Sequence, residues 1–323
     1  MTISATLKAP LATARFIKEI GRGKDGARSL SRADAAELYG AMLDGRVADL
    51  ELGAILIAMR IKGESVAEIA GFLDAAEASF PQLQAPVGQY APLVIPSYNG
   101  ARNMPNLTPL LALLLAREGV PVLVHGVQHD PNRVTTAEIF TELGIAASPD
   151  VAHAEAQFAQ HHPAFMAIES LAPRMARLLA LRAVLGVRSS THTLVKIMQP
   201  FAGPALRLSS YTHPEYLEML GEYFTTEAPV ERGDAFLMRG TEGETVANAK
   251  RAQQIDWFRD GQRSTLVQKQ APVDELPPLP SQRDAVTTAH WIRAALAGEQ
   301  PVPVPILDQV EQCLIVCRRL AAI

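Results

Sequence analysis

The sequence predicts an α/β protein in two parts: a small N-terminal helical bundle, and a larger α/β domain on a central, mostly parallel sheet. Three observations carry that expectation. Short, capped amphipathic segments fill the chain before residue 81, strand-like and helical segments alternate from about Ala91, and a strand–loop–helix passage runs from Pro92 to Pro109. In the first part, Ser31-Arg-Ala-Asp34 has the form of a capping box and opens a helix that closes near Gly45. A second helix from Asp49 places Leu52, Ile55, Leu56 and Met59 on one face and ends at Lys62-Gly63. Ser65-Val-Ala-Glu68 opens a third, running towards Phe80-Pro81. None of the three can bury its apolar face alone, so a bundle is expected, with a second subunit as one way to complete it.

Strand-like segments follow at Leu93–Ile95, Val120–Val124, Leu206–Ser209, Ala235–Met238 and Thr265–Gln268. Gly119 and Gly144 end two of the intervening helices, and Thr135-Thr-Ala-Glu138 caps another. Pro173 to Leu185 reads as one helix closed by Gly186, with Arg174, Arg177 and Arg182 within an arc of roughly 140°. The helical domain is therefore set at 1–88, completed by about 172–198, and the α/β domain at 89–171 and 199–323. Proline-rich pieces at 276–280 and 301–305 read as connectors.

With 323 residues, 48% of them hydrophobic and 20% charged, the chain can bury a large core. No apolar run approaches the roughly 20 residues of a membrane helix, and the N-terminus lacks the order of a secretory signal, so a cytoplasmic location is expected without membrane association. Cys313 and Cys317 read as reduced, partly buried thiols, and no zinc-type spacing occurs. The net charge of −4 excludes a chain that is basic overall, but the charges are unevenly placed. Ser170 to Pro214 holds six basic residues and no Asp or Glu; Arg15 to Arg32 holds six against two acids. Such blocks suit a polyanion, although scattered solvated side chains would give the same composition.

The loop Ile95-Pro-Ser-Tyr-Asn-Gly-Ala-Arg102 sits where backbone N–H groups and a helix N-terminus gather around an anion. Thr108 is placed to cap the following helix, and Pro109 suits its first turn. Yet the loop has one glycine, Gly100, where a phosphate cradle usually has several.

Several motifs together resemble the anthranilate phosphoribosyltransferases: Leu43-Asp-Gly45, Asp49-Leu-Glu-Leu-Gly53, Arg60-Ile-Lys-Gly-Glu64, Glu68-Ile-Ala-Gly71, Asn106-Leu-Thr108, His125-Gly126, Leu143-Gly-Ile145 and Leu185-Gly-Val-Arg188. The resemblance spans roughly Leu30 to Asn248 and points to the divergent YbiB-like (TrpD2) branch. It implies a phosphoribosyltransferase-like fold, shared in class with nucleoside phosphorylases. Family enzymes transfer ribose 5-phosphate from phosphoribosyl pyrophosphate to an aromatic amine, using a Gly-Thr-Gly-Gly-Asp loop and carboxylate-held magnesium. That loop falls on Ser97-Tyr-Asn-Gly-Ala101, so two glycines and the aspartate are missing. The family lysine before His-Gly falls on Val124, and the paired Asp-Glu on Thr245 and Val246. Glu242 and Glu244 remain nearby as candidate ligands of a hard cation, although strand-like alternation suggests exposed surface groups. An apolar family run becomes Ser189-Ser-Thr-His-Thr-Leu-Val-Lys196, wetter and more basic, while Arg182 matches the arginine that holds the substrate carboxylate.

The resemblance to this branch implies sequence-independent nucleic-acid binding, with DNA the expected ligand, by a catalytically degenerate homodimer paired through the helical domain. The expected contacts are Lys24, Arg28, Arg102, Arg133, Arg182, Arg188 and Lys196. Ser97, Tyr98, Asn99, Gly100, Asn106, Thr108, His125 and Gly126 form the vestigial phosphate site. No catalytic residue, required cofactor or metal is expected, magnesium included. Aromatic interleaving is thin: Tyr98 sits in the loop and Tyr211 follows the last cation of the basic block, both read as packing or hydrogen-bonding groups. The alternatives are a phosphoribosyltransferase or nucleoside phosphorylase with altered substrate, and a non-catalytic sensor of a phosphorylated metabolite.

Overall fold

The computed structural model describes residues 9–23, 25–273 and 275–322. The chain divides into two compact units, Met1–Phe80 with Ala172–Val195, and Pro81–Leu171 with Lys196–Ile323. Residues 81–88 and 196–198 thus fall in the second unit, where Leu83 exchanges backbone hydrogen bonds with Pro200 and Ala202.

The first unit is helical: α1 (Ala14–Ile20), α2 (Arg32–Leu43), α3 (Asp49–Lys62) and α4 (Val66–Glu77), joined by α9 (Pro173–Ala180), α10 (Arg182–Leu185) and α11 (Thr191–Leu194). Ser31 caps α2 by accepting the Asp34 N–H at 3.1 Å. At α4 the capping box is reciprocal, with Ser65 accepting from Glu68 N–H at 3.3 Å and the Glu68 carboxylate accepting from Ser65 N–H at 2.8 Å. Glu68 also takes the Leu30 N–H and the Lys62 ammonium, so its buried charge is fully partnered. The core of this unit lies between α2 and α4, with Leu38, Tyr39, Ile69 and Phe72 buried and the Tyr39 and Phe72 rings 5.1 Å apart. Gly71 permits that approach, because a Cβ there would lie 2.1 Å from the Arg32 carbonyl oxygen.

The expected single helix from Pro173 to Leu185 breaks at Leu181 into α9 and α10, and Gly186 ends the second in a left-handed conformation. The arginines do not form one basic strip. Arg174 pairs with Asp44 at 2.6 Å, and Arg177 donates to the Met42 and Leu43 carbonyls at 2.9 Å each. Those carbonyls belong to the last turn of α2, where orphan acceptors and the negative end of the helix dipole favour a cation.

The second unit is a seven-stranded sheet in the order β3-β2-β1-β4-β5-β6-β7. Its strands are β1 (Leu93–Ser97), β2 (Val122–Gly126), β3 (Ala164–Ala167), β4 (Leu206–Tyr211), β5 (Ala235–Arg239), β6 (Ile255–Arg259) and β7 (Gln262–Val267). β1 to β5 are parallel, and β6 and β7 close one edge antiparallel. The helices of this unit are α5 (Thr108–Arg117), α6 (Thr136–Glu142), α7 (Val151–Ala159), α8 (Ile168–Leu171), α12 (Pro214–Thr226), α13 (Ala285–Leu296) and α14 (Val304–Ala321). β1 to β4 are almost wholly buried, and α5, α13 and α14 share one core with them that includes Cys313 and Cys317. Among the described residues, no helix is long and apolar enough to cross a membrane.

β1 is the switch point. From it the chain builds outward through β2 and β3, then returns to its other side with β4, and crevices form at the carboxyl ends of strands where order reverses. The 98–107 loop therefore leaves β1 at the place where this architecture builds ligand sites. Replacing Arg177 with alanine should lower the stability of the helical unit by about 1 kcal/mol, because two helix-end carbonyls lose a charged donor; urea unfolding of the variant measures it.

Candidate functional site

In the loop after β1 the chain supplies its own acceptors for the backbone N–H groups: the Val134 carbonyl takes that of Ala101 at 3.0 Å, and two glutamates take five others. Glu244 Oε1 accepts from the N–H groups of Asn99 at 2.8 Å and Gly100 at 2.7 Å. Glu242 accepts from the N–H groups of Arg102 at 2.7 Å, Asn103 at 2.9 Å and Met104 at 3.4 Å, and from the Asn103 side-chain amide at 2.6 Å. Both glutamates come from the tight turn after β5, which Thr241 and Glu244 close with two backbone hydrogen bonds of 3.0 Å. Glu242 and Gly243 have φ of 55° and 96°, as a turn with two left-handed central residues requires. Glycine is needed at the second: a Cβ on Gly243 would lie 2.1 Å from Asn99 Nδ2, while Asn99 Nδ2 donates to the Gly243 carbonyl at 2.9 Å.

The expectation that Glu242 and Glu244 are exposed surface groups is therefore overturned. Glu244 is 1% exposed and Glu242 half-buried. The residues adopt a turn instead of continuing a strand, and their carboxylates fold back onto donors some 140 residues earlier in the chain. Burial raises the Glu244 carboxyl above its ordinary value, opposed by the Ser97 hydroxyl, then by the Asn99 and Gly100 N–H groups and the Lys196 charge. For Glu242 burial acts in the same upward direction, but the hydrogen bonds from Asn103, Arg102 and Met104 outweigh it and the carboxyl is held low.

Beneath the loop lies a polar knot. Ser97 Oγ and Thr136 Oγ1 are 2.7 Å apart, and Asn106 Nδ2 donates to Thr136 Oγ1 at 3.0 Å. Asn106 Oδ1 accepts the Thr108 N–H at 3.1 Å, so the cap expected from Thr108 comes from Asn106 instead. The Thr108 hydroxyl is buried without a partner among the described residues. Ser97, Asn99, Gly100, Asn106, Thr108, His125 and Gly126 are all buried, and Tyr98 is half-buried. These positions are brought together, as a packed foundation for the loop.

Among the described residues no carboxylate hydrogen-bonds His125. Its Nδ1 lies 2.7 Å from the Tyr98 hydroxyl, and its Nε2 is buried without a partner among the described residues. Burial pulls the imidazole from 6.5 down to about 3, so it stays neutral and is closed off from any general-base role with a solvent-borne substrate.

The basic residues separate. In the helical unit, Arg28, Arg182 and Arg188 are exposed, as are Arg15 and Arg22; Arg15, Arg22 and Arg32 pair with Glu37, Glu19 and Asp74. Lys24 lies outside the described residues. An apolar groove of about 640 Å³ in this unit is lined by Ile17, Gly23, Ala27, Leu50, Ile57, Ile61 and Leu185, among others. It brings the segment before Arg28 and the α10 residue between Arg182 and Arg188 to one groove. Leu50 and Ile61 are 87% and 67% exposed there, large for apolar side chains.

In the α/β unit, Arg102 is exposed, Arg133 is half-buried and donates to the Gly100 carbonyl at 3.4 Å, and Lys196 is half-buried with its charge acting on Glu244. Arg207, part of the acid-free block, is 3% exposed and stacks over Phe224. Arg102, Arg133 and Arg283 share a cleft of about 1110 Å³ with Asp130, Glu138, Glu142 and Asp284. Sequence reasoning did not single out Arg283, which donates to the Arg102 carbonyl.

Magnesium-assisted pyrophosphate chemistry needs free carboxylate oxygens and open phosphate donors. The carboxylates left in this region have committed Glu242 and one oxygen of Glu244 to backbone N–H groups. Among the described residues no three His, Cys, Asp or Glu side chains converge on a common point. The donor set does not fit the family's metal–pyrophosphate group.

A helical unit ahead of a mostly parallel sheet, with a loop of gathered N–H donors at the sheet's switch point, defines a protein of the phosphoribosyltransferase-like class. The helical bundle domain of a glycosyl transferase family matches residues 14–79. YbiB of Escherichia coli K12 is 47% identical over 96% of this chain and 95% of its own length. The anthranilate phosphoribosyltransferase of Rhodospirillum rubrum is 27% identical over 72% of this chain and 66% of its own. The crystal structure of the anthranilate phosphoribosyltransferase from Thermus thermophilus superposes with a TM-score of 0.70 at 21% identity, covering 95% of this chain and 89% of that one. The chain belongs to the anthranilate phosphoribosyltransferase-like glycosyl transferase family, as a close homologue of YbiB.

Two measurements check the local account. Glu244→Ala should cost about 3 kcal/mol, because two buried N–H groups lose a charged acceptor, and Glu244→Gln should cost less; chemical denaturation compares them. His125 binds its proton more weakly folded than unfolded, so stability is lost as pH falls below 6.5 towards about 3. At pH 4 the loss from this group should be about 3 kcal/mol, at about 1.4 kcal/mol per pH unit. His125→Gln should flatten that part of the stability–pH curve.

Proposed function

We propose that this protein binds nucleic acid without sequence preference, DNA in the first instance, as a homodimer that does not carry out ribosyl transfer. The observation that carries the reading is the occupied loop after β1. Its N–H donors, which a phosphate would need, already hold Glu242 and Glu244. A phosphate brought to within 4 Å of either carboxylate would meet repulsion of about 4 kcal/mol at an effective dielectric of about 20. The alternative of an altered phosphoribosyltransferase or phosphorylase is disfavoured on that ground and by the enclosure of His125.

The exposed arginines of the helical unit then supply the positive surface. In the sequence Arg28 follows the groove residue Ala27, and Arg182 and Arg188 each lie three residues from the groove residue Leu185, so the reading assigns the three cations to the groove's surroundings. The groove's own exposed Leu50, Ile57 and Ile61 offer a second copy of the chain an apolar contact, and a twofold pairing would present each cation twice. Arginine at such positions suits the sugar–phosphate backbone and carries no base code.

A sensor of phosphorylated metabolites is the weaker reading. The large cleft of the α/β unit sets Asp130, Glu138, Glu142 and Asp284 against Arg102, Arg133 and Arg283, which favours no polyanion.

If about six phosphates are met per dimer, the logarithm of affinity should fall against the logarithm of salt concentration with a slope of about −5. Gel shifts with double- and single-stranded DNA and with RNA at two salt concentrations measure it. Replacing Arg182 and Arg188 together with glutamine should reduce both affinity and slope. A salt-independent titration, or unchanged binding by that variant, contradicts the reading.

A further inference from the structure

We infer that Glu242 and Glu244 are an internal anion, a self-occluding contact that keeps phosphate and pyrophosphate out of the β1 loop and holds it ordered without a ligand. The proposed function draws on this contact, but the inference concerns only the α/β unit and its test uses no nucleic acid.

Three features of the structure support it. The two carboxylates divide the donors of one loop between them without overlap: Glu244 takes Asn99 and Gly100, and Glu242 takes Arg102, Asn103 and Met104. Backbone N–H groups gathered in this way form an anion nest, and without Glu244 the buried Asn99 and Gly100 would be left as orphan donors. Second, the turn that delivers the carboxylates is built at a conformational cost. Glu242 is a non-glycine residue at φ 55°, a conformation that persists where surrounding contacts over-determine it. Here those contacts are the hydrogen bonds of its own side chain. Third, Arg133 and Arg283 fix the loop from the other side, through the carbonyls of Gly100 and Arg102. Donors and acceptors of the same stretch are thus both satisfied within the chain. A loop that waited for a ligand would leave its donors to solvent until the ligand came.

The arrangement also explains why one glycine suffices. A phosphate, with several oxygens and a tetrahedral shape, needs the backbone to wrap it closely, whereas a carboxylate reaches in on its own side chain. Gly100 remains, at φ 62°, and the closest approach has moved to Gly243 on the turn that carries the acceptors.

The test uses inorganic pyrophosphate with the full-length protein and its Glu242→Ala variant. Glu242 is chosen because it is half-buried, so its removal opens the loop without emptying a core position. Isothermal titration should show pyrophosphate binding at least tenfold tighter in Glu242→Ala than in the wild type. In the same variant, amide exchange at Asn103 and Met104 should be faster than in the wild type and should slow again when pyrophosphate is added. Equal affinity in the two proteins overturns the inference, because the carboxylate would then exclude nothing. Faster exchange that pyrophosphate fails to reverse overturns it equally, because the donors would then not constitute an anion nest.

Discussion

The hydrogen bonds between one tight turn and one loop set the character of this molecule. Glu242 and Glu244 bring negative charge to the backbone donors that gather after β1, and the loop's shape depends on their staying there. The position is dictated by topology, since β1 lies where strand order reverses and β5 delivers its turn to the same end of the parallel strands. The family fold is retained, and at its centre the chain's own carboxylates hold the donors of the loop after β1.

Burying a carboxylate is costly unless donors replace water. Glu244 shows the balance: burial raises its proton affinity, and two N–H groups and the Lys196 charge act in the other direction. Glu68 in the helical unit solves the same problem with Lys62 and the N–H groups of Leu30 and Ser65. In both places an acid organises a loop by completing its unsatisfied donors. The difference lies in position, because Glu68 serves a helix start and Glu244 holds the loop after β1.

Much of the fold was legible in the sequence because its signals are local. The boxes at Ser65–Glu68 and Thr135–Glu138 form as their spacing predicts. Two strands escaped notice for physical reasons. β3 is a four-residue apolar run that leads directly into α8, and β6 carries Asp256, which is buried against Arg263 and Thr265. The loss of the family's phosphate-loop glycines was readable at Ser97–Ala101, but its replacement was not. Alternation around Glu242 and Glu244 suggests a strand, and nothing local shows that they meet a loop far earlier in the chain. Charge blocks misled for a similar reason: Arg174, Arg177 and Arg207 sit in an acid-free stretch, yet find Asp44, helix-end carbonyls and the Phe224 ring in the fold.

Amide hydrogen exchange at Asn99, Gly100, Arg102 and Asn103 in the unliganded wild-type protein tests the central claim most directly. The four amides should exchange slowly, and adding pyrophosphate with magnesium should leave their rates unchanged. Rapid exchange in the free protein, followed by protection on adding pyrophosphate and magnesium, would show that the loop awaits a ligand and that the two glutamates do not occupy it.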